Sequence, residues 1–264
     1  MSKGRVLVVA GSDSGGGAGI QADIKAITAL KGYAATAVTA LTAQNTLGVH
    51  DLMAVPEGFI RRQMEVVLDD IGTDAIKTGM LHRREVVETV VDVIEEFAPD
   101  APLVVDPVMV AKGGARLLDH DTVDVVKARL ILHATLLTPN IPEAEALTGL
   151  EIHDVDDMKH AAEMLLTLGP QAVLMKGGHL PGDKVVDILI EAEHGMNVWE
   201  APRVDTRHTH GTGCTLASAI SAGLARGLKV RDAVGQASAY VHNAIISAPG
   251  LGQGHGPLNH AHTL

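Results

Sequence analysis

The chain is short of aromatic residues, of cysteine and of positive charge, and each shortage excludes something. Aromatic side chains make up only 2% of 264 residues, so the core must be built from Val, Leu, Ile, Ala and Met. A surface that stacks the bases of single-stranded nucleic acid would want more rings. Lys and Arg number 21 against 32 Asp and Glu, a formal charge of −11. That balance argues against nucleic acid and anionic membranes as partners, since both reward basic surfaces. One cysteine cannot form an internal disulfide, which fits a reducing compartment and makes a cytoplasmic protein the expectation. The first apolar run, Val6 to Ala10, is too short for a signal peptide or a membrane span. There are 14 histidines, but no HExxH and no Cys₂His₂ spacing, so a zinc site is not expected.

Hydrophobic residues make up 46% of the chain, enough for a sizeable core. Short β-branched runs at Arg5–Ala10, Ala34–Leu41, Ala75–Thr78, Leu103–Val105, Thr135–Thr138 and Ala172–Met175 alternate with segments of helical apolar spacing. Val185–Ile190 and Val198–Pro202 read as an antiparallel pair, and helices over Thr215–Arg226 and Val230–Ser247 close the pattern. This alternation predicts a single α/β domain over residues 1–264, with a mostly parallel sheet covered on both faces. The tail from about Gly250, rich in Gly and His, is expected to be poorly ordered. In such sheets ligands bind beyond the carboxyl ends of the strands. The suggestive loops, among them a polar turn over Thr42–Thr46, all follow predicted strands.

The most informative stretch is His208-Thr-His-Gly-Thr-Gly-Cys-Thr215, a glycine-punctuated turn running into a small-residue helix. Gly211 and Gly213 let several N–H groups point at one spot, and the helix N-terminus adds its own: a receptacle for negative charge. Cys214 sits at its rim, where a helix N-terminus should lower the thiol pKa. A plain glycine turn with a buried cysteine is the competing reading. The loop Gly11-Ser-Asp-Ser-Gly-Gly-Gly-Ala-Gly19 is neither a Walker A loop nor a dinucleotide fingerprint nor a serine-hydrolase elbow, though it admits close approach to its backbone. Asp23 follows on the next helix, as a functional group or an exposed helix residue. Asn140 and Glu143 share one side of a helix start, either as a cap or as an outer shell for Mg²⁺. Lys176, before two glycines at a strand end, could hold phosphate oxygens or simply reach solvent. Asp106 is a strand-end carboxylate with the same ambiguity.

Taken together, Gly11–Asp23, Ala40–Thr46, Lys77–Met80, Asp106–Met109, Asn140–Glu143, Lys176–His179 and His210–Cys214 resemble, in order and over almost the whole chain, the hydroxymethylpyrimidine/phosphomethylpyrimidine kinases of thiamine biosynthesis. These belong to the ribokinase superfamily. The resemblance implies a three-layer α-β-α ribokinase-like fold and a homodimer. It also implies ATP as phosphoryl donor with Mg²⁺, and an aminopyrimidine alcohol and its monophosphate as acceptors. It places Gln44 at the pyrimidine edge with Gly11, Ala18, Asp23, Met80 and Val108 around it. Asn140, Glu143 and Asp106 then face Mg²⁺ through water, and Lys176 faces the ATP phosphates. Gly211, Thr212, Gly213 and Cys214 form the anion hole, with Cys214 the candidate base. Lys112, in a basic glycine hinge, is the candidate for the second phosphate. Pyridoxal kinase activity and a silent pyrimidine sensor are the alternatives.

Overall fold

Apolar strands of the kind that parallel sheets bury form an eight-stranded sheet in the computed structural model, which describes residues 4–109 and 120–264. The strands are β1 (Arg5–Ala10), β2 (Tyr33–Val38), β5 (Ala75–Thr78), β6 (Leu103–Val105), β7 (Leu136–Leu137), β8 (Ala172–Lys176), β9 (Lys184–Glu191) and β10 (Gly195–Pro202). Their order across the sheet is β10-β9-β8-β7-β6-β5-β1-β2. Pairing is parallel from β2 to β8, and β9 and β10 add antiparallel, as the sequence pattern predicted.

The helices are α1 (Gly19–Ala29), α2 (Glu57–Asp70), α3 (Arg84–Phe97), α4 (His120–Val125), α5 (Ile141–Thr148), α6 (Val155–Leu166), α7 (Thr212–Ala225) and α8 (Val230–Ile246). Strand side chains alternate between the two faces. Leu7, Val9, Ile76, Val105 and Val173 pack with α2, α3, α5 and α6, whereas Val104, Leu136 and Leu174 pack with α7 and α8. The result is the three-layer α-β-α arrangement. Helix α7 is buried almost all round, and its Ala, Ser and Gly residues permit that closeness: a Cβ on Gly223 would lie 2.9 Å from Ala233 Cβ on α8.

Two segments differ from expectation. Ala34–Leu41 and the turn after it are not one strand and a loop. The chain bends at Thr39, and β3 (Ala40–Asn45) folds back on β4 (Gly48–Ala54) as a two-stranded hairpin outside the main sheet. The polar residues Thr42–Asn45 are in a strand because cross-strand pairing, which no local pattern reveals, supplies their hydrogen bonds. The tail is also ordered. Tyr240 donates to the His260 carbonyl at 2.7 Å, His255 N–H to Thr46 O at 2.9 Å and Asn259 N–H to Ala244 O at 3.0 Å. Gly252 and Gly254 press against Thr46, where a Cβ would lie 2.3 and 2.1 Å from its atoms. The absence of side chains, read as looseness, is what lets the tail lie on the hairpin turn.

The sheet, α1 and α7 meet at one buried ion pair. Lys77 Nζ of β5 donates to both oxygens of Asp23 of α1 at 3.1 Å, and Ser218 of α7 donates to Asp23 Oδ1 at 2.7 Å. Both charged side chains are fully buried. Asp23→Ala should therefore cost on the order of 3–5 kcal/mol by stranding the Lys77 charge. Urea unfolding of the variant checks it; an unchanged midpoint would contradict the pairing.

Candidate active site

A cleft of about 1370 Å³ runs along the carboxyl edge of the sheet. Its lining includes Gly11, Ala18, Gln44, Met80, Asp106, Val108, Asn140, Glu143, Lys176 and Gly211–Cys214, so nearly every residue singled out from sequence comes together. Asp23 does not reach it, being held against Lys77 beneath the floor. Its expected place at the pyrimidine is therefore not met. Its carboxylate, on the second turn of α1, is committed to charge neutralisation instead. Lys112 lies outside the described residues.

The N-terminal glycine loop is closed on itself. Asp13 carboxylate oxygens accept from Gly15, Gly17 and Ala18 N–H groups at 2.8, 3.0 and 2.8 Å. With three of its amides turned to its own carboxylate, the loop has few left to offer a phosphate, which agrees with its mismatch to the nucleotide loops. Asp13 also accepts from His210 Nε2 at 2.9 Å. Burial pushes the Asp13 carboxyl up, but the His210 and backbone bonds outweigh it and hold the group below the usual aspartate value. The contact needs two glycines. A Cβ on Gly17 would meet His210 Cδ2 at 2.6 Å, and Gly211, at φ 83°, would put one 1.8 Å from Gly17 O. Asp13 and His210 were not among the residues chosen from sequence. The signal was present in His210 directly preceding the glycine turn.

The anion receptacle is then the start of α7. Gly211 caps it in the left-handed region, and the first intrahelical bond, Thr215 N–H to Gly211 O, is 2.9 Å. The N–H groups of Gly213 and Cys214 precede that bond and are the open ones. Thr212 differs from expectation: its N–H turns back to Thr209 O at 3.4 Å and its hydroxyl to the same oxygen at 2.8 Å. Lys176 Nζ stands 3.1 Å from Asp106 Oδ1 and 3.9 Å from Glu143 Oε2. It would lie 3.2 Å from a Cβ on Gly213, so the glycine gives the ammonium room close to the helix mouth.

Asn140 and Glu143 form a reciprocal capping box on α5, at 2.8 and 2.9 Å, so the local reading of that pair holds. The cap also aims the Glu143 carboxylate beside Lys176. Burial raises the Glu143 carboxyl well above its usual range, Lys176 opposes this and Asp106 adds to it. Burial lowers the Lys176 ammonium, but Asp106 and Glu143 outweigh it and the net direction is up. Among the described residues the contacts use Asp106 Oδ1 and Glu143 Oε2, and the second oxygen of each carboxylate takes no hydrogen bond. Two carboxylates with an open oxygen each suit a hard cation that keeps several waters.

Sequence reasoning missed the apolar residues Trp199, Val204, Ala239 and Ile245, which also line the cleft. These residues come from β10, its exit loop and α8, and no local motif links them. Beside α7 the expectation for Cys214 is reversed. Burial pushes its thiol up to about 12, with Asp106 and Asp23 adding to the rise and Lys77 opposing it. The helix N-terminus does not win here because burial of the thiol is the largest effect, and the two carboxylates add to it.

The family model for phosphomethylpyrimidine kinase matches residues 13–259. The chain is 46% identical to the hydroxymethylpyrimidine/phosphomethylpyrimidine kinase of Bacillus subtilis, over 98% of this chain and 96% of that one. It is 50% identical to the thiamine biosynthesis bifunctional protein ThiED of Geobacter sulfurreducens over 98% of its own length, and spans 52%, about half, of that relative. Among solved structures, phosphomethylpyrimidine kinase from Clostridium difficile superposes with a TM-score of 0.81 at 43% identity, covering 92% of this chain and 100% of that one. The pyridoxal kinase of Staphylococcus aureus, in complex with AMP-PCP and pyridoxal, gives a TM-score of 0.91 at 35% identity, covering 99% and 94%.

With the thiol pushed up to about 12, alkylation of Cys214 by iodoacetamide in the free protein should still be accelerating between about pH 8 and 10, where an ordinary thiol is levelling off. Mass spectrometry of the modified peptide against pH checks this. A plateau at neutral pH would show a thiolate instead.

Proposed function

Since the chain belongs to the phosphomethylpyrimidine kinase family, we propose that it transfers a phosphoryl group from ATP to 4-amino-5-hydroxymethyl-2-methylpyrimidine. It then phosphorylates the resulting monophosphate, in thiamine biosynthesis. The observation that carries this is the identity over nearly the full length of pyrimidine kinases, with the matching motifs gathered on one cleft. Pyridoxal kinases share the fold but less of the sequence, 35–36% against 43–50%. A silent sensor would have no use for a lysine at the mouth of an anion-binding helix.

In this reading Gln44 meets the pyrimidine edge, with Gly11, Ala18, Met80 and Val108 lining its pocket. Lys176 and the N–H groups of Gly213 and Cys214 stabilise the transferred phosphoryl group. Such donors usually supply the larger share in phosphoryl transfer, whose loose transition state asks little covalent work of the protein. Glu143 and Asp106, with Asn140 behind them, are the residues that would hold Mg²⁺ through water, and the ion would neutralise charge on the phosphate oxygens. Cys214 is the candidate base. Burial pushes its thiol up to about 12, so in the free protein it holds its own proton; acting as base would require that proton to pass to solvent first, when a cation and nucleotide are bound, before the thiolate takes the alcohol proton. The apolar residues Leu41, Leu47, Met53 and Phe59, exposed on the hairpin and α2, support a homodimer through this face, which sedimentation of the full chain checks. No helix among the described residues is long and apolar enough to cross a membrane, and a cytoplasmic setting fits the free Cys214 thiol.

A coupled ADP-release assay should show higher kcat/KM on the pyrimidine alcohol than on pyridoxal; the reverse order would overturn the assignment. In the same assay Cys214→Ala should lose about 10²–10⁴ in kcat if the thiol is the base, and undiminished turnover removes that role. Lys112→Ala should raise KM for the monophosphate and leave that for the alcohol unchanged.

A further inference from the structure

The side-chain amide of Gln44 stands between two groups whose hydrogens are already committed. Its Nε2 position is 3.2 Å from His210 Nε2, and its Oε1 position is 3.3 Å from Thr42 Oγ1. His210 Nε2 faces the Asp13 carboxylate at 2.9 Å, so that nitrogen carries hydrogen whether the ring is neutral or charged. Asp13 is anchored as an acceptor by three backbone N–H groups and cannot reverse the bond. The Thr42 hydroxyl has one hydrogen, and the Ser12 carbonyl takes it at 2.9 Å. An NH₂ against the histidine would set donor against donor, and an oxygen against Thr42 would set acceptor against acceptor. Turning the amide by half a revolution removes both clashes without moving any other atom: the amide oxygen then faces the hydrogen-bearing ring nitrogen, and the NH₂ donates to the Thr42 oxygen.

We propose that Asp13 and His210, with Thr42, are positioning residues that fix the Gln44 amide with Oε1 towards His210 and NH₂ towards Thr42. This rests on the pyrimidine-kinase reading and deepens it by assigning the source of substrate orientation. The amide has one lone pair and one hydrogen left for the cleft, in a fixed spatial order. An aminopyrimidine offers the complement, an amino hydrogen at C4 and a lone pair at N3, the pairing by which glutamine reads adenine. Along that edge the order is C5, C4, N3. With the amino group on the Oε1 side, the C5 hydroxymethyl group falls on the His210 side, and His210 leads directly into Gly211–Cys214. The opposite amide orientation would bind the ring turned over, with the alcohol pointing away from the phosphoryl-transfer turn. A break in hairpin register between Ala43 and Gln44 falls at this residue, as bulges beside sites do.

The test compares the 4-amino alcohol with its 4-oxo analogue, whose C4 oxygen accepts and whose N3 carries hydrogen. The wild type should prefer the amino compound in kcat/KM. His210→Leu frees the amide, and the preference should fall by about tenfold or more while KM for ATP stays put. His210→Gln, which restores an N–H donor, should recover part of it. Thr42→Val removes the other neighbour and should move the preference in the same direction, even if His210→Leu does not fold. If both variants slow the two alcohols equally and the preference stays constant, His210 is only structural and the inference is wrong. If the wild type phosphorylates neither compound, the pyrimidine-kinase reading fails first, and with it this one.

Discussion

The ion pair of Lys77 and Asp23 is the constraint that the rest of the cleft depends on. A lysine with no exposed surface at the end of a central parallel strand is tolerable only with a carboxylate bonded to it, and Asp23 supplies both oxygens. That requirement fixes α1 against β5. Ser218 then ties α7 to the same carboxylate, so the helix bearing the anion-binding mouth is registered on the sheet by a polar contact among apolar ones. Apolar packing alone would hold α7 close; the directional bond decides its rotation. The price of this anchoring is that Asp23 is withdrawn from the substrate.

A second carboxylate divides labour between two glycine-rich loops that look alike in sequence. Asp13 fills the amides of the N-terminal loop, leaving α7 as the loop-helix junction with open N–H groups. Contact between the loops through Gly17 and Gly211 then brings the hairpin and the start of α7 within one chain of contacts, from Asp13 through His210 to Gln44. Glycine at both positions is a steric requirement of that contact.

The fold was largely legible, because buried parallel strands read as short β-branched runs and the helices between them as periodic segments. Gathering of the site was legible too, since the informative loops all follow strands and parallel topology brings such loops to one edge. Three things were not. The hairpin β3–β4 is held by cross-strand pairing, so Thr42–Asn45 read locally as a turn. Asp23 and Lys77 sit 54 residues apart, so their pairing is a tertiary fact that neither residue announces. The helix start around Cys214 is a local feature, whereas burial, with Asp106 after β6 and Asp23 on α1 adding to it, raises its proton affinity.

The charges around the α7 mouth do not cancel. Lys77 is matched by Asp23, and among the described residues Lys176 is the cation within 4 Å of both Asp106 and Glu143. In a buried cluster such an excess is relieved by protonation, and the raised Glu143 carboxyl is that relief. A proton held there is one that a cation can displace, so the pocket is poised for charge arriving with a ligand. Phosphates entering alone would meet two acidic groups and one lysine, whereas phosphates carrying a dication would replace the proton and leave Lys176 free to turn to them.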